Sequence, residues 1–174
     1  MAQPTQEILD RAHTTELLML DVDGVLTDGG LYYFGEGGVS LRFSVRDGLG
    51  LKLAQRAGIA IAWISGRDEP AVRRRAEHLD VEDLYLGVRD KGTVVDELLT
   101  RHGLQAGRAA FVGDDLIDLP AMERVGFPIA VADAADEVRS SALYVTKRPG
   151  GMLAASCSFR FCRTASGSCQ FSAA

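Results

Sequence analysis

The sequence predicts a three-layer α/β domain, a Rossmann-like parallel sheet with helices on both faces and a β-hairpin flap. Three observations lead there. Short apolar runs alternate with helical patterns of about 10–12 residues, as in βαβ units. Several of those runs close on acids or other polar groups, where an open parallel sheet presents its ligand. The 174 residues, 47% hydrophobic and 25% charged, suit one ordinary globular core and are too few for two.

The elements follow in order. Residues 5–13 read as a short amphipathic helix, with Ile8, Leu9 and Ala12 on one side. Residues 16–22, ELLMLDV, form an apolar run ending on acid and suit a buried strand. GVLTDGG is a loop by composition, and residues 31–44 read as a hairpin around Gly35-Glu36-Gly37-Gly38. A helix is predicted over 47–56, broken by Gly58, then a strand over 59–64 and a helix over 68–79 with Pro70 in its first turn. A strand at 84–86 precedes a helix at 91–102 stopped by Gly103. A strand at 109–112, a helix at 116–125, a strand at 129–131, a short helix at 134–140 and a strand at 143–145 complete the pattern.

Charge and cysteine usage narrow the function classes. Lys and Arg total 19 against 24 Asp and Glu, a net charge of −5, which argues against nucleic-acid and anionic-membrane partners. No apolar run approaches the roughly 20 residues of a spanning helix, and the N-terminus lacks a signal-like apolar block. The expected location is the cytoplasm. Cys157, Cys162 and Cys169 are confined to one tail and make neither a disulfide framework nor a zinc spacing, so reduced thiols are expected. From Met152 onward the chain is rich in Ser, Ala and Cys and shows no period.

Four strand ends carry chemistry. The first presents Asp21 and Asp23, two apart in extended chain and so able to face one site, followed by Gly24 for a sharp turn. Such close acids suit a divalent cation or a shared proton, although an acidic cap would look alike. The second ends in Ser65-Gly66-Arg67, suited to a phosphate or carboxylate, or to a plain turn. After the third stands Lys91 at a helix start, against the macrodipole; a bound anion would explain it, as would simple solvation. The fourth runs into Gly113-Asp114-Asp115, with Asp118 one turn on. Oxygen ligands without clustered His or Cys point to Mg²⁺.

Asp21-Val22-Asp23-Gly24-Val25-Leu26-Thr27 resembles the first motif of the haloacid dehalogenase-like superfamily, and Ser65, Lys91 and Asp114-Asp115 with Asp118 resemble the other three in order. The resemblance covers about residues 16–146 and implies a phosphatase domain over 1–150, with an atypical tail over 151–174. It implies that Asp21 is the nucleophile, Asp23 the general acid and base, and Lys91 a further catalytic group. Mg²⁺ would be held by Asp21, the Asp23 main-chain carbonyl and Asp114. Ser65, Gly66 and Lys91 would hold the phosphoryl oxygens, and Asp115 and Asp118 would orient metal-bound waters or Lys91. Neither superfamily insertion point leaves room for a cap domain.

Residues 27–50, Arg67, Arg75 and Arg148-Pro149-Gly150-Gly151 resemble the 3-deoxy-D-manno-octulosonate 8-phosphate (KDO 8-phosphate) phosphatases. That resemblance implies a homotetramer built from paired hairpins, with Leu31, Tyr33, Leu41 and Phe43 at the interface, acting in lipopolysaccharide biosynthesis. Arg67 and Arg75 are candidates for a sugar acid's carboxylate, with at most one or two of Arg73, Arg74 and Arg75 facing the site. Asp47 either binds sugar hydroxyls or caps the next helix. After Gly151 the chain departs from the charged, Arg-containing continuation usual in that family. A phosphatase of another nine-carbon sugar acid phosphate, of sialic acid type, and a non-catalytic homologue are the competing readings.

Overall fold

A computed structural model describes residues 5–35 and 37–153. Helix α1 (Gln6–Thr14), capped by the Thr5 hydroxyl, leads into β1 (Leu17–Leu20), whose four residues are all buried. A hairpin of β2 (Tyr32–Tyr33) and β3 (Val39–Ser40) follows, then α2 (Val45–Arg56), β4 (Ala60–Ile64), α3 (Pro70–His78) and β5 (Asp83–Tyr85). The second half contains α4 (Lys91–His102), β6 (Ala109–Gly113), α5 (Leu119–Met122), β7 (Phe127–Ala130), α6 (Asp136–Ser141) and β8 (Tyr144–Val145).

Six strands form one sheet in the order β5-β4-β1-β6-β7-β8, and every pairing is parallel. Because such crossovers are right-handed, α2 and α3 cover one face and α4, α5 and α6 the other. Burial on both faces explains why the central strands read as continuous apolar runs rather than alternating ones. Leu17, Met19, Trp63, Ile64 and Phe111 lie fully buried at the centre. Between Thr27 and Ser65 only the hairpin and α2 and β4 intervene, and between Lys91 and Asp114 only α4, a 3₁₀ turn and β6, so no cap domain is inserted at either point.

Three boundaries depart from expectation for physical reasons. Helix α2 starts at Val45, because the Ser44 hydroxyl caps it by accepting from the Asp47 amide at 3.3 Å; Asp47 is not the cap. The helix expected over 116–125 is instead a 3₁₀ turn, Leu116–Asp118, followed by the four residues of α5. Pro120 has no amide to donate back to Leu116, so a regular first turn cannot form there. Strand β7 begins two residues earlier than expected, since Phe127 pairs with Ala110.

The hairpin needs a larger correction. Leu41 and Phe43 pack on the domain's own core, and Phe43 stacks on Trp63 with ring centroids 6.4 Å apart. An isolated bridge between Thr27 and Phe43 closes the stem. The exposed apolar residues of the hairpin are Tyr32, Tyr33 and Phe34 at the tip, while Phe43 is half-buried against its own subunit's core. Of the segment 151–174, Gly151–Leu153 are described and Leu153 is buried; the three cysteines lie outside the described residues. No helix among the described residues is long and apolar enough to cross a membrane.

Phe43→Asp should therefore destabilise the subunit itself rather than only separate subunits. A charge placed against Trp63 should cost at least about 2 kcal/mol. A urea titration followed by fluorescence of the single tryptophan measures it; an unchanged midpoint would return Phe43 to the surface.

Candidate active site

The strand order reverses beside β1. The chain moves from β1 outward to β4 and β5, then returns past β1 to β6 and continues the other way. The crevice between the carboxyl ends of β1 and β6 is thus the topological switch point, where open parallel sheets bind ligands. Asp21 leaves β1 there, its amide donating to the Val112 carbonyl at 3.0 Å, and Asp114 leaves β6 there.

The turn after β1 is set by two residues. Gly24 has φ of +89°, and a Cβ on it would lie 2.0 Å from Asp114 Oδ2, so glycine alone lets the two loops meet. Thr27, fully buried, accepts from the Gly24 and Gly29 amides at 3.2 Å each and donates to the Val22 carbonyl. The threonine of the motif is a structural hub of the turn.

Lys91 opens α4 behind an Asp90 cap that accepts from the Gly92 and Thr93 amides. Its ammonium is 1% exposed and donates to Asp21 Oδ1 and Asp118 Oδ1, each at 2.6 Å. The anions that justify a lysine at this helix start are therefore carboxylates of the chain itself. Burial opposes the Lys91 charge, but Asp21 and Asp118 outweigh it and hold the ammonium above its ordinary range. The other Asp118 oxygen accepts from the Asp114 and Asp115 amides at 2.9 and 3.3 Å. Asp118 thus fixes both the lysine and the β6 loop, and its Cβ already occupies the space a side chain at Gly113 would need.

Asp23 and Ser65 meet across the crevice. The Ser65 hydroxyl donates to Asp23 Oδ2 at 3.4 Å and accepts from the Arg67 amide at 3.1 Å. Gly66 lies between them, facing the Val88 carbonyl and Ile117. Arg67 is paired with Glu69, which raises its pKa, with Asp23 contributing in the same direction.

The remaining candidates divide. Arg75 donates to the Ser44 carbonyl at 3.0 Å and lies over the Phe43 ring, so it braces the start of α2 in its own subunit. Arg73 is tied to Asp68 on the surface. Asp47 is buried at the base of a cleft of about 360 Å³ bounded by Arg42, Arg46 and Arg148. Asp115 is exposed and caps the following turn.

The acidic cluster fits a hard divalent cation. Asp21, Asp114 and Asp118 place carboxylate oxygens within 4.8 Å of one another. Asp114 Oδ1 and Asp23 Oδ1 are buried without a hydrogen-bond partner. Burial, followed by Asp118, pushes Asp21 up to about 6 against the pull of Lys91. Burial, followed by Asp21 and Asp118, pushes Asp114 up to about 8. A cation bound by oxygen would displace those protons, and an all-carboxylate donor set suits Mg²⁺.

Residues 83–149 match the haloacid dehalogenase-like hydrolase family. The chain is 42% identical to 3-deoxy-D-manno-octulosonate 8-phosphate phosphatase KdsC of Haemophilus influenzae, over 78% of this chain and 76% of that protein. Among solved structures, a probable YrbI family phosphatase from Pseudomonas syringae superposes with a TM-score of 0.84 at 43% identity, covering 87% of this chain and 86% of that one. The Moraxella catarrhalis 3-deoxy-D-manno-octulosonate 8-phosphate phosphatase, solved with magnesium, phosphate and KDO, superposes with a TM-score of 0.83 at 36% identity, covering 90% of this chain and 88% of that one. The fold and its switch-point acids thus define a haloacid dehalogenase-like hydrolase without a cap. Within that class, the chain belongs to the family of the 3-deoxy-D-manno-octulosonate 8-phosphate phosphatases.

Two predictions follow from the charges. Asp21 and Asp114 both sit above the unfolded carboxylate value, so they favour the metal-free fold at low pH and lose that contribution as pH rises through about 6 and then 8. Mg²⁺ should accordingly raise the thermal midpoint more at pH 8.5 than at pH 5.5; equal shifts would contradict proton displacement. Lys91→Ala leaves three carboxylates uncompensated and should destabilise the metal-free protein by about 3–5 kcal/mol at pH 8. The loss should shrink near pH 5, where Asp21 and Asp114 take up protons, as urea titrations at the two pH values would show.

Proposed function

We propose that the protein is a Mg²⁺-dependent phosphoric monoester hydrolase that releases phosphate from 3-deoxy-D-manno-octulosonate 8-phosphate, the substrate named for its relatives. The observation that carries the reading is Asp21 held by a buried lysine beside Asp114, with Asp23 opposite Ser65. A carboxylate nucleophile, an acid two residues on and an oxygen-only metal site are the parts that phosphoryl transfer needs.

The contacts support a role for each residue. Lys91 orients Asp21 so that a carboxylate oxygen attacks phosphorus while the bond to the sugar oxygen breaks. Asp23 gives a proton to the departing oxygen. The aspartyl phosphate on Asp21 is then hydrolysed by a water whose proton Asp23 takes, which restores both acids. Asp21, Asp114 and the Asp23 main-chain carbonyl would hold Mg²⁺, which would supply charge neutralisation for the transferring group. Ser65 makes a long bond to Asp23, which a phosphoryl oxygen can replace, and the Gly66 amide completes the cradle with Lys91. Asp118 acts through Lys91, and Asp115 shapes the loop.

Arg67, paired with Glu69 and close enough to Asp23 to feel its charge, is the guanidinium we assign to the sugar acid's carboxylate within one subunit. Arg75 is already committed to Ser44 and Phe43. The exposed Tyr32, Tyr33 and Phe34 support self-association through the hairpin tips, and the tetramer is the assembly we propose. A cytoplasmic location and a place in lipopolysaccharide precursor synthesis complete the reading.

Asp21→Asn should keep the fold and lose at least about 1,000-fold in phosphate release, measured with purified substrate and Mg²⁺. Asp23→Asn should lose about 100- to 10,000-fold, with both steps slowed in single-turnover kinetics. Near-normal turnover in either would reassign the role. Replacing Tyr33 and Phe34 with Asp should give smaller particles by light scattering; a monomeric unmodified protein at micromolar concentration would remove the tetramer.

A further inference from the structure

The turn that follows the Asp21–Asp23 pair is closed from outside by a segment more than a hundred residues away. After β8 the chain crosses back over it as Arg148-Pro149-Gly150-Gly151. A Cβ on Gly150 would lie 1.7 Å from the Gly24 carbonyl oxygen, 2.5 Å from its carbon and 2.9 Å from the Thr27 oxygen. All three are backbone atoms, so no side chain can swing away to make room. The Gly151 amide donates to the Val25 carbonyl at 2.9 Å, and Leu153 anchors the segment in the core.

The strap is itself held. The Gly150 amide donates to Asp133 Oδ1 at 2.9 Å. The Arg148 carbonyl accepts from the Ala132 amide at 3.2 Å and from the buried Thr146 hydroxyl at 2.6 Å. Two residues beyond Asp133, the Ala135 amide donates to the Asp114 carbonyl at 2.8 Å. The contacts form a ring: the turn carrying Asp21 and Asp23, the strap, the loop after β7, and the loop carrying Asp114. Across that ring Gly24 already stands against the Asp114 carboxylate with no space to spare.

We propose that Gly150 is a positioning residue for the reaction: its missing side chain lets the strap clamp the Gly24 turn, which sets Asp21 and Asp23 against Asp114. Asp133 acts with it by holding the strap in place. The inference rests on the functional reading above, because it assigns the strap to the geometry of that same centre. Adding a methyl group at Gly150 displaces the Gly24 carbonyl toward the crevice. The displaced turn then presses on Asp114, and the cation-binding oxygens move apart from one another. A shift on that scale is felt at the reacting atoms far more than in the stability of the core.

The test uses Gly150→Ala, Asp133→Ala and Asp133→Asn in the full chain. Mg²⁺ affinity is measured by calorimetry with the metal alone, folding by circular dichroism and thermal unfolding, and turnover by phosphate release. Gly150→Ala should remain folded, bind Mg²⁺ about 10-fold more weakly and lose about 100-fold in kcat, with KM changed much less. Asp133→Ala should move both quantities the same way by a smaller factor, and Asp133→Asn, which keeps an acceptor oxygen, should restore them.

A folded Gly150→Ala protein with Mg²⁺ affinity and kcat both within twofold of the unmodified enzyme would overturn the proposal. So would activity lost only in proportion to unfolded protein, with unchanged affinity in the folded fraction. If Gly150→Ala does not fold, the Asp133 pair decides: equal Mg²⁺ affinity in the Ala and Asn variants overturns the proposal. The metal measurement needs no sugar phosphate, so a wrong substrate assignment would leave this test standing.

Discussion

The active-site end of this protein depends on one buried cation. The Lys91 ammonium sits between Asp21 and Asp118 at 2.6 Å from each, and its side chain is almost fully removed from water. A charge so placed is tolerated only when its partners are close and well oriented. The requirement runs outward from there. Helix α4 must start where Lys91 can reach beneath β1, and Asp118 must stay close enough to bond the lysine with one oxygen and the β6 loop with the other. The 3₁₀ turn that replaces a regular helix at Leu116–Asp118 is the local conformation that meets this demand.

The same interaction links stability to chemistry. Three carboxylates converge on one point, and a single ammonium does not balance them. The raised values of Asp21 and Asp114 express that imbalance as bound protons. A divalent cation removes it without protons and leaves Asp21 ionised, the state required by the nucleophile role proposed for it. Lys91 keeps part of the charge compensation in the protein, so the centre is preorganised before any ligand arrives. The clamp of Gly150 on the Gly24 turn belongs to the same logic, because closely spaced like charges must be held in position against their own repulsion.

The hairpin shows how one segment serves two environments. Its stem is part of the core, with Phe43 on Trp63 and the Arg75 guanidinium over the same ring. Its tip carries three exposed aromatics. The alternation of apolar residues over 31–44 marked a ribbon with a buried side, yet alternation could not say whose interior buried it. Leu41 and Phe43 found their own subunit's core, which leaves Tyr32, Tyr33 and Phe34 as the surface available to another chain.

Much was legible because it is local or periodic. Apolar runs bounded by acids marked β1 and β6, Gly103 marked the end of α4 in its left-handed conformation, and polar groups at four strand ends pointed to the carboxyl edge of the sheet. The need of Gly24 for a sharp turn was also visible in the residues themselves. What the sequence could not show was distance between segments far apart along the chain. The Ser44 hydroxyl, not Asp47, caps α2; Arg75 braces that helix start; Asp118 serves Lys91 and two amides at once. Gly150 stood in a segment that resembles the family but had no role attached until the Gly24 carbonyl was found where its Cβ would be. Composition and period act through neighbours in the chain and through burial, which a sequence encodes directly. The fit of one backbone against another arises only when the crossovers bring them together, and that was decided by the tertiary structure alone.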